Sequence, residues 1–223
     1  MRSFLLEKCR QRGQAGIMRS GDIDIRVLQV LLALSLAGLL IVGIAMARTE
    51  AQPKPLRIPP PPDFVLQLSH DGARFEFSGT VDFGLTEAMR RMVAAHPEVR
   101  QIVLDSNGGY IAEARGVVAV LREQGFATHV AGHCASACAL IFAGGMTRSL
   151  GPEGRLGLHG YAIARDGRFG MIDPRVEMER DLAIYRAQGL EEAFIARLAT
   201  LPLSPMWYPD RDALIAARMV TQP

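Results

Sequence analysis

Lysine is nearly absent from this chain: of 223 residues only Lys8 and Lys54 carry it. A lysine serving as general base or Schiff-base nucleophile is therefore excluded beyond residue 54. Cysteine is scarce too. Cys9, Cys134 and Cys138 form no CxxC pair, so neither structural zinc nor a disulfide scaffold is indicated. The net charge is only +2 and no basic stripe is interleaved with aromatics, which gives no case for nucleic acid. No GxxxxGK[ST] loop occurs, so ATP hydrolysis by that route is excluded. No metal or cofactor signature is present.

What is present falls into four parts. Residues 1–26 form a polar arm in which Arg2, Lys8, Arg10, Arg12, Arg19 and Arg26 outnumber Glu7, Asp22 and Asp24. Residues 27–47 read VLQVLLALSLAGLLIVGIAMA, apolar all round except for Gln29 and Ser35. Such a run is long enough to cross a hydrocarbon core of about 30 Å as a helix. The excess of basic residues before it places the N-terminus in the cytoplasm and the remainder outside. Ala45-Met46-Ala47 resembles a signal-peptidase site, but the length of the run favours a retained anchor. Residues 48–62 contain QPKPLRIPPPP, a stiff extended spacer. Residues 63–223 are the folded domain.

Within that domain, short apolar runs alternate with helical spacings. Strands are predicted over Phe64–Leu68, Arg74–Phe77, Gln101–Leu104, Ala127–Val130 and Arg155–Leu158. Helices are predicted over Leu85–Ala95, Ile111–Arg122, Ser136–Phe142, Pro174–Gln188, Leu190–Leu198 and Arg211–Ala217. An Asp71-Gly72 turn joins the first two strands as a hairpin. The alternation argues for an α/β domain with a largely parallel sheet.

Two glycine-marked loops carry the chemistry. Ser106-Asn107-Gly108-Gly109 directly follows a buried strand, and Gly132-His133-Cys134-Ala135-Ser136-Ala137-Cys138 lies between a strand and an apolar helix. A serine at a strand-to-helix turn can project its hydroxyl, while nearby backbone N–H groups face a reacting carbonyl. Each loop alone reads equally well as an N-cap or a turn.

Their order resembles the proteolytic subunit of the Clp protease, within the crotonase-like superfamily. In that family a strand ends in Ser-Pro-Gly-Gly, a second motif reads Gly-x-Ala-Ala-Ser-Met-Gly-Ala, and a third reads Ile-His-Gln-Pro. The counterparts are SNGG at Ser106–Gly109, GHCASACA at Gly132–Ala139 and GLHGY at Gly157–Tyr161. The chain resembles most of all the uncharacterised periplasmic Clp-like proteins of Gram-negative bacteria. The resemblance implies a spiral of ββα units, preceded here by one transmembrane helix. It further implies Ser136 as nucleophile, His159 as base, and oxyanion N–H groups from Gly109 and Ala137, with Asn107 and Gly108 beside the substrate.

A peptide or protein substrate and a homo-oligomer are implied as well. The setting would be the periplasmic side of a bacterial inner membrane, with a single pass. Related membrane proteases such as signal peptide peptidase A use a Ser–Lys dyad, which the lack of lysine excludes here. Of the five histidines, His133 is the alternative base to His159. Arg155, Tyr161, Arg165 and Arg168 are expected near His159.

Two departures from the family stand out. The aspartate that orients the histidine aligns with Met206, leaving Asp210, Ser204 or a backbone carbonyl as substitutes. Cys134 and Cys138 flank Ser136, and a disulfide between them would lock the turn. A non-catalytic binding or assembly module is the alternative that Met206 favours, and a crotonase-like thioester enzyme is a third reading.

Overall fold

The computed structural model describes residues 24–48, 61–161 and 173–222. The chain divides into two units, Met1–Pro59 and Pro60–Pro223. The expected arm, most of the proline-rich spacer, and Arg165 and Arg168 lie outside the described residues.

The first unit holds one helix, α1 (Ile25–Arg48). It begins two residues before the predicted apolar run and ends one residue after it. Over Ile25–Met46 its mean hydropathy is 2.6. Its one serine, Ser35, donates to the Leu32 carbonyl at 2.8 Å. In lipid that internal bond removes the cost of a bare hydroxyl.

The second unit is a mixed α/β domain. A hairpin of β1 (Phe64–Leu68) and β2 (Phe75–Val81) opens it. Its turn is closed by Asp71, which accepts from the Ser69 hydroxyl at 2.6 Å and the Ala73 N–H at 3.1 Å. Then follow α2 (Leu85–Ala95), β3 (Gln101–Gly109), α3 (Ile111–Gln124), β4 (Ala127–Val130), β5 (His133–Ala135) and α4 (Ala137–Ala143). The domain continues with β6 (Arg148–Leu150), β7 (Arg155–Gly157), α5 (Pro174–Ala187), α6 (Glu192–Ala199) and α7 (Arg211–Ala216). The strand order is β1-β2-β3-β4-β6, with β5 set between β3 and β7. Among the named strands of the described residues, only the β1–β2 pair is antiparallel.

Strand β3 forks the sheet. Its first residues, Gln101–Val103, pair with β4, whereas Ser106 pairs with Cys134 of β5. The other edge follows β2 along nearly its whole length. Residues alternate strictly in burial, with Ile102, Leu104, Ser106 and Gly108 facing inward. The core is built on Phe75, Phe126, Phe142, Leu121, Leu140, Ile141 and Leu156, all at 1% exposure or less. Every residue of α4 is buried, as its wholly apolar sequence requires.

Four elements differ from the sequence reading: β2, expected over Arg74–Phe77, runs on to Val81 beside β3, and three others depart further. Asp105–Gly109 continues β3 rather than forming a loop, because β2 and β5 flank it on both edges. Strand β5 lies where the sequence reads as loop; three residues carry no usable alternation, and pairing with β3 and β7 makes it a strand. Strand β6 was missed because an arginine begins it and a serine centres it.

Candidate active site

The C-terminal ends of β3, β5 and β7 converge, the usual place for a site in an α/β sheet. Ser136 stands between β5 and α4 with φ 56° and ψ −125°. A left-handed backbone at a residue bearing Cβ costs about 1–3 kcal/mol and must be imposed by its surroundings. Here the Ser136 N–H donates to the Gly157 carbonyl at 2.8 Å, and its own carbonyl accepts from Ala139 at 2.9 Å. Cys134 and Cys138 are joined as a disulfide, Cα atoms 5.3 Å apart, which closes a covalent ring around the serine.

His159 follows β7 by two residues. Its Nε2 lies 2.7 Å from the Ser136 Oγ and its Nδ1 lies 2.6 Å from the Gly160 carbonyl oxygen. A carbonyl can only accept, so Nδ1 carries the proton and donates it. Nε2 is then the acceptor for the Ser136 hydroxyl. This is the tautomer a general base needs. Both side chains are half-buried.

Gly108 lies against the serine. A Cβ built there would meet the Ala135 carbonyl oxygen at 2.7 Å, Ser136 Cβ at 2.7 Å and the Ala137 nitrogen at 2.9 Å. Its N–H donates to the Ser106 hydroxyl at 3.0 Å. The Tyr110 N–H donates to the Val81 carbonyl of β2 at 2.7 Å. Successive N–H groups of a strand point to opposite edges. The Gly109 N–H is thereby turned from β2 toward the side where β5 and Ser136 lie. Ala137 opens α4, so its N–H has no intrahelical acceptor. The Ser136 hydroxyl, the His159 ring, Gly108 and the first turn of α4 are thus brought together.

Comparison with known proteins is silent at the level of sequence: no family model matches the chain, and no curated protein matches it. Solved structures do match. A point mutant of ClpP1 from Listeria monocytogenes superposes with a TM-score of 0.55 at 14% identity, covering 67% of this chain and 90% of that one. The fold is ClpP-like. A mutant of the membrane-bound stomatin-specific protease 1510-N gives a TM-score of 0.48 at 14% identity, over 67% of this chain and 76% of that one.

Other predicted residues take different places on the ClpP-like frame. Asp210 does not reach the histidine: its carboxylate accepts from the Ala213 N–H at 2.7 Å and caps α7. Met206 packs its sulfur against Gly157, where a Cβ would come within 2.4 Å of it. A thioether is at best a weak acceptor. The acceptor at His159 Nδ1 is the Gly160 carbonyl, a backbone carbonyl being one of the substitutes the sequence leaves open. His133 faces the Tyr208 ring at 6.0 Å. His129 is committed to Ser149 at 2.9 Å, and burial, with Arg74 nearby, lowers its pKa. Asn107 is exposed, one residue from Gly108. Arg155 opens β7 and is exposed.

Proposed function

We propose that this chain is a membrane-anchored serine peptidase or acyl hydrolase acting on a peptide or protein at the periplasmic face of a bacterial inner membrane. The observation that carries the reading is the 2.7 Å contact of His159 Nε2 with the hydroxyl of a serine held at φ 56°. The Ser136 Oγ attacks a carbonyl carbon as its proton passes to Nε2. The resulting oxyanion accepts hydrogen bonds from the Gly109 and Ala137 N–H groups. Collapse breaks the bond to the leaving group, which takes the proton from His159, and leaves an acyl ester on Ser136. Water, deprotonated by His159, then hydrolyses the ester and restores the serine. The developing imidazolium is stabilised by the Gly160 carbonyl, a dipole rather than a charge. Its stabilisation is weaker than a carboxylate's, and a slow turnover follows from that.

The full chain in detergent, treated with a fluorophosphonate probe, tests the reading. Labelling is expected at Ser136, lost in Ser136→Ala and slowed about 10²–10⁴-fold in His159→Ala. Well-folded wild-type protein that takes no label would overturn it. The Met206 substitution favours a second reading, a binding or assembly module on the same frame, and that outcome would support it.

A further inference from the structure

The Gly160 carbonyl can orient His159 only if the peptide that bears it is itself held. One side of that peptide is fixed by neighbouring chain. Leu158 and Trp207 exchange both backbone hydrogen bonds, at 2.8 and 2.7 Å, and the Gly160 N–H donates to the Pro202 carbonyl at 2.8 Å. A side chain at Gly160 would meet the Leu201 carbonyl oxygen at 1.9 Å, so the approach demands glycine. The same glycine leaves ψ at residue 160 loose, and ψ sets the direction of its C=O. Anchorage from the following residue has to supply what the glycine gives up.

That residue is Tyr161, and its hydroxyl donates to the Asp181 carboxylate of α5. Asp181 is 1% exposed, among the few buried charged residues of the domain. Its other oxygen accepts from the Arg115 Nε of α3 at 2.5 Å. Arg115 reaches on to Glu177, donating to its side chain and, at 2.8 Å, to its carbonyl oxygen. Burial opposes the charge on Arg115, but its bonds to Asp181 and Glu177 prevail and hold it firmly protonated. Burial, with Asp181 beside it, pushes the Tyr161 phenol far above its ordinary range, so the ring remains a donor. Tyr185, also facing Asp181, is kept neutral in the same way. A buried aspartate bound to an arginine and a tyrosine therefore ties α3 and α5 to the second residue after His159. Nothing in the proposed acyl transfer uses this network directly.

We infer that Tyr161, Asp181 and Arg115 are positioning residues that aim the Gly160 carbonyl at His159 Nδ1. They do from a distance what a carboxylate against the imidazole would do by contact. The inference rests on the reading of Ser136 and His159 as a reacting pair.

The test uses the full chain in detergent micelles, as wild type, Tyr161→Phe and Asp181→Asn. Tyr161→Phe deletes one hydroxyl and keeps the ring, so it remains readable should Asp181→Asn unfold; Trp207 fluorescence reports folding. Two measurements are made on each. One is fluorophosphonate inactivation, resolved into its limiting rate and its half-saturating concentration. The other is the ¹⁵N spectrum of the histidine rings, with the His159 signals assigned by their loss in His159→Gln. The limiting rate is expected to fall about tenfold at unchanged half-saturation. The His159 ring is expected to pass from a single Nδ1–H tautomer to a mixture with Nε2–H. Folded variants that react at the wild-type rate with His159 still a single tautomer would overturn the inference. If the wild type takes no label, the hydrolase reading falls. The ring spectra then decide the positioning alone, an unchanged tautomer in both variants overturning it and a mixed one supporting it.

Discussion

At Gly108 the requirement for glycine is set by three atoms of the Ser136 turn, each within 2.9 Å of the place a Cβ would occupy. None is the end of a flexible side chain that could swing away. Gly108→Ala must therefore displace either β3 or the Ser136 turn. Fluorophosphonate labelling should fall at least as far as for loss of one oxyanion donor, about 10²-fold, while the core keeps the protein folded. A labelling time course beside a thermal melt checks this; unchanged labelling would mean that the two loops are not in contact. That Ser136, His159 and the glycine pair come together was legible only through the resemblance of three motifs, in order, to the Clp proteolytic subunit. The acceptor for His159 Nδ1 was not, since every residue owns a carbonyl and only the fold says which one is near. Tyr161 and Asp181 were opaque for a related reason: twenty residues and no shared periodicity separate them.

Helix α2 shows how an element depends on a side chain from another. It begins at Gly84, which offers no capping side chain, and Glu113 of α3 does the work instead. Its carboxylate accepts from the Gly84 N–H at 3.1 Å, the Thr86 N–H at 2.9 Å and the Thr86 hydroxyl at 2.6 Å. Burial alone would raise its pKa, but these bonds outweigh burial and hold it below the ordinary carboxylate value. A depressed carboxylate contributes stability above its unfolded pKa and loses it as pH falls through the folded one. Glu113→Gln should thus cost about 1 kcal/mol near neutrality. The deficit should close as pH drops below about 4. Urea unfolding of both proteins at several pH values, followed by Trp207 fluorescence, measures it. A deficit independent of pH would show that the charge plays no part. The helices themselves were readable from apolar spacing to within one or two residues. The three-residue strands β5 and β6 were not, because they are made by their neighbours rather than by their own residues.

Across the whole molecule, Arg148 fastens the C-terminus to the sheet. It is 2% exposed and donates to four carbonyls: Met219 at 2.9 Å, Gly145 at 2.9 Å, Arg218 at 2.6 Å and Gln188 at 3.4 Å. Its backbone carbonyl accepts from Thr221 and Gln222. Burial lowers its pKa, and among the described residues no carboxylate pairs with it. Arg148→Leu would strand several buried acceptors at once and should destabilise the domain by about 3–5 kcal/mol, read as a lower urea midpoint. A loss under 1 kcal/mol would mean that water replaces the guanidinium. The α/β class of the domain was visible in its alternating pattern, but the forked sheet was not, because a fork is a property of three strands together.

That fork has a consequence best put in a machinist's terms. Strand β3 is a datum edge: Ser106↔Cys134 fixes β5 from it, and Gly108 and Gly109 are cut on the same strand. The Ser136 turn and the glycine pair are therefore dimensioned from one reference, and tolerances do not stack between them. His159 sits one step further, through Ala135↔Gly157. A single-residue deletion within Gln101–Gly109 shifts every dimension together and has no mild form.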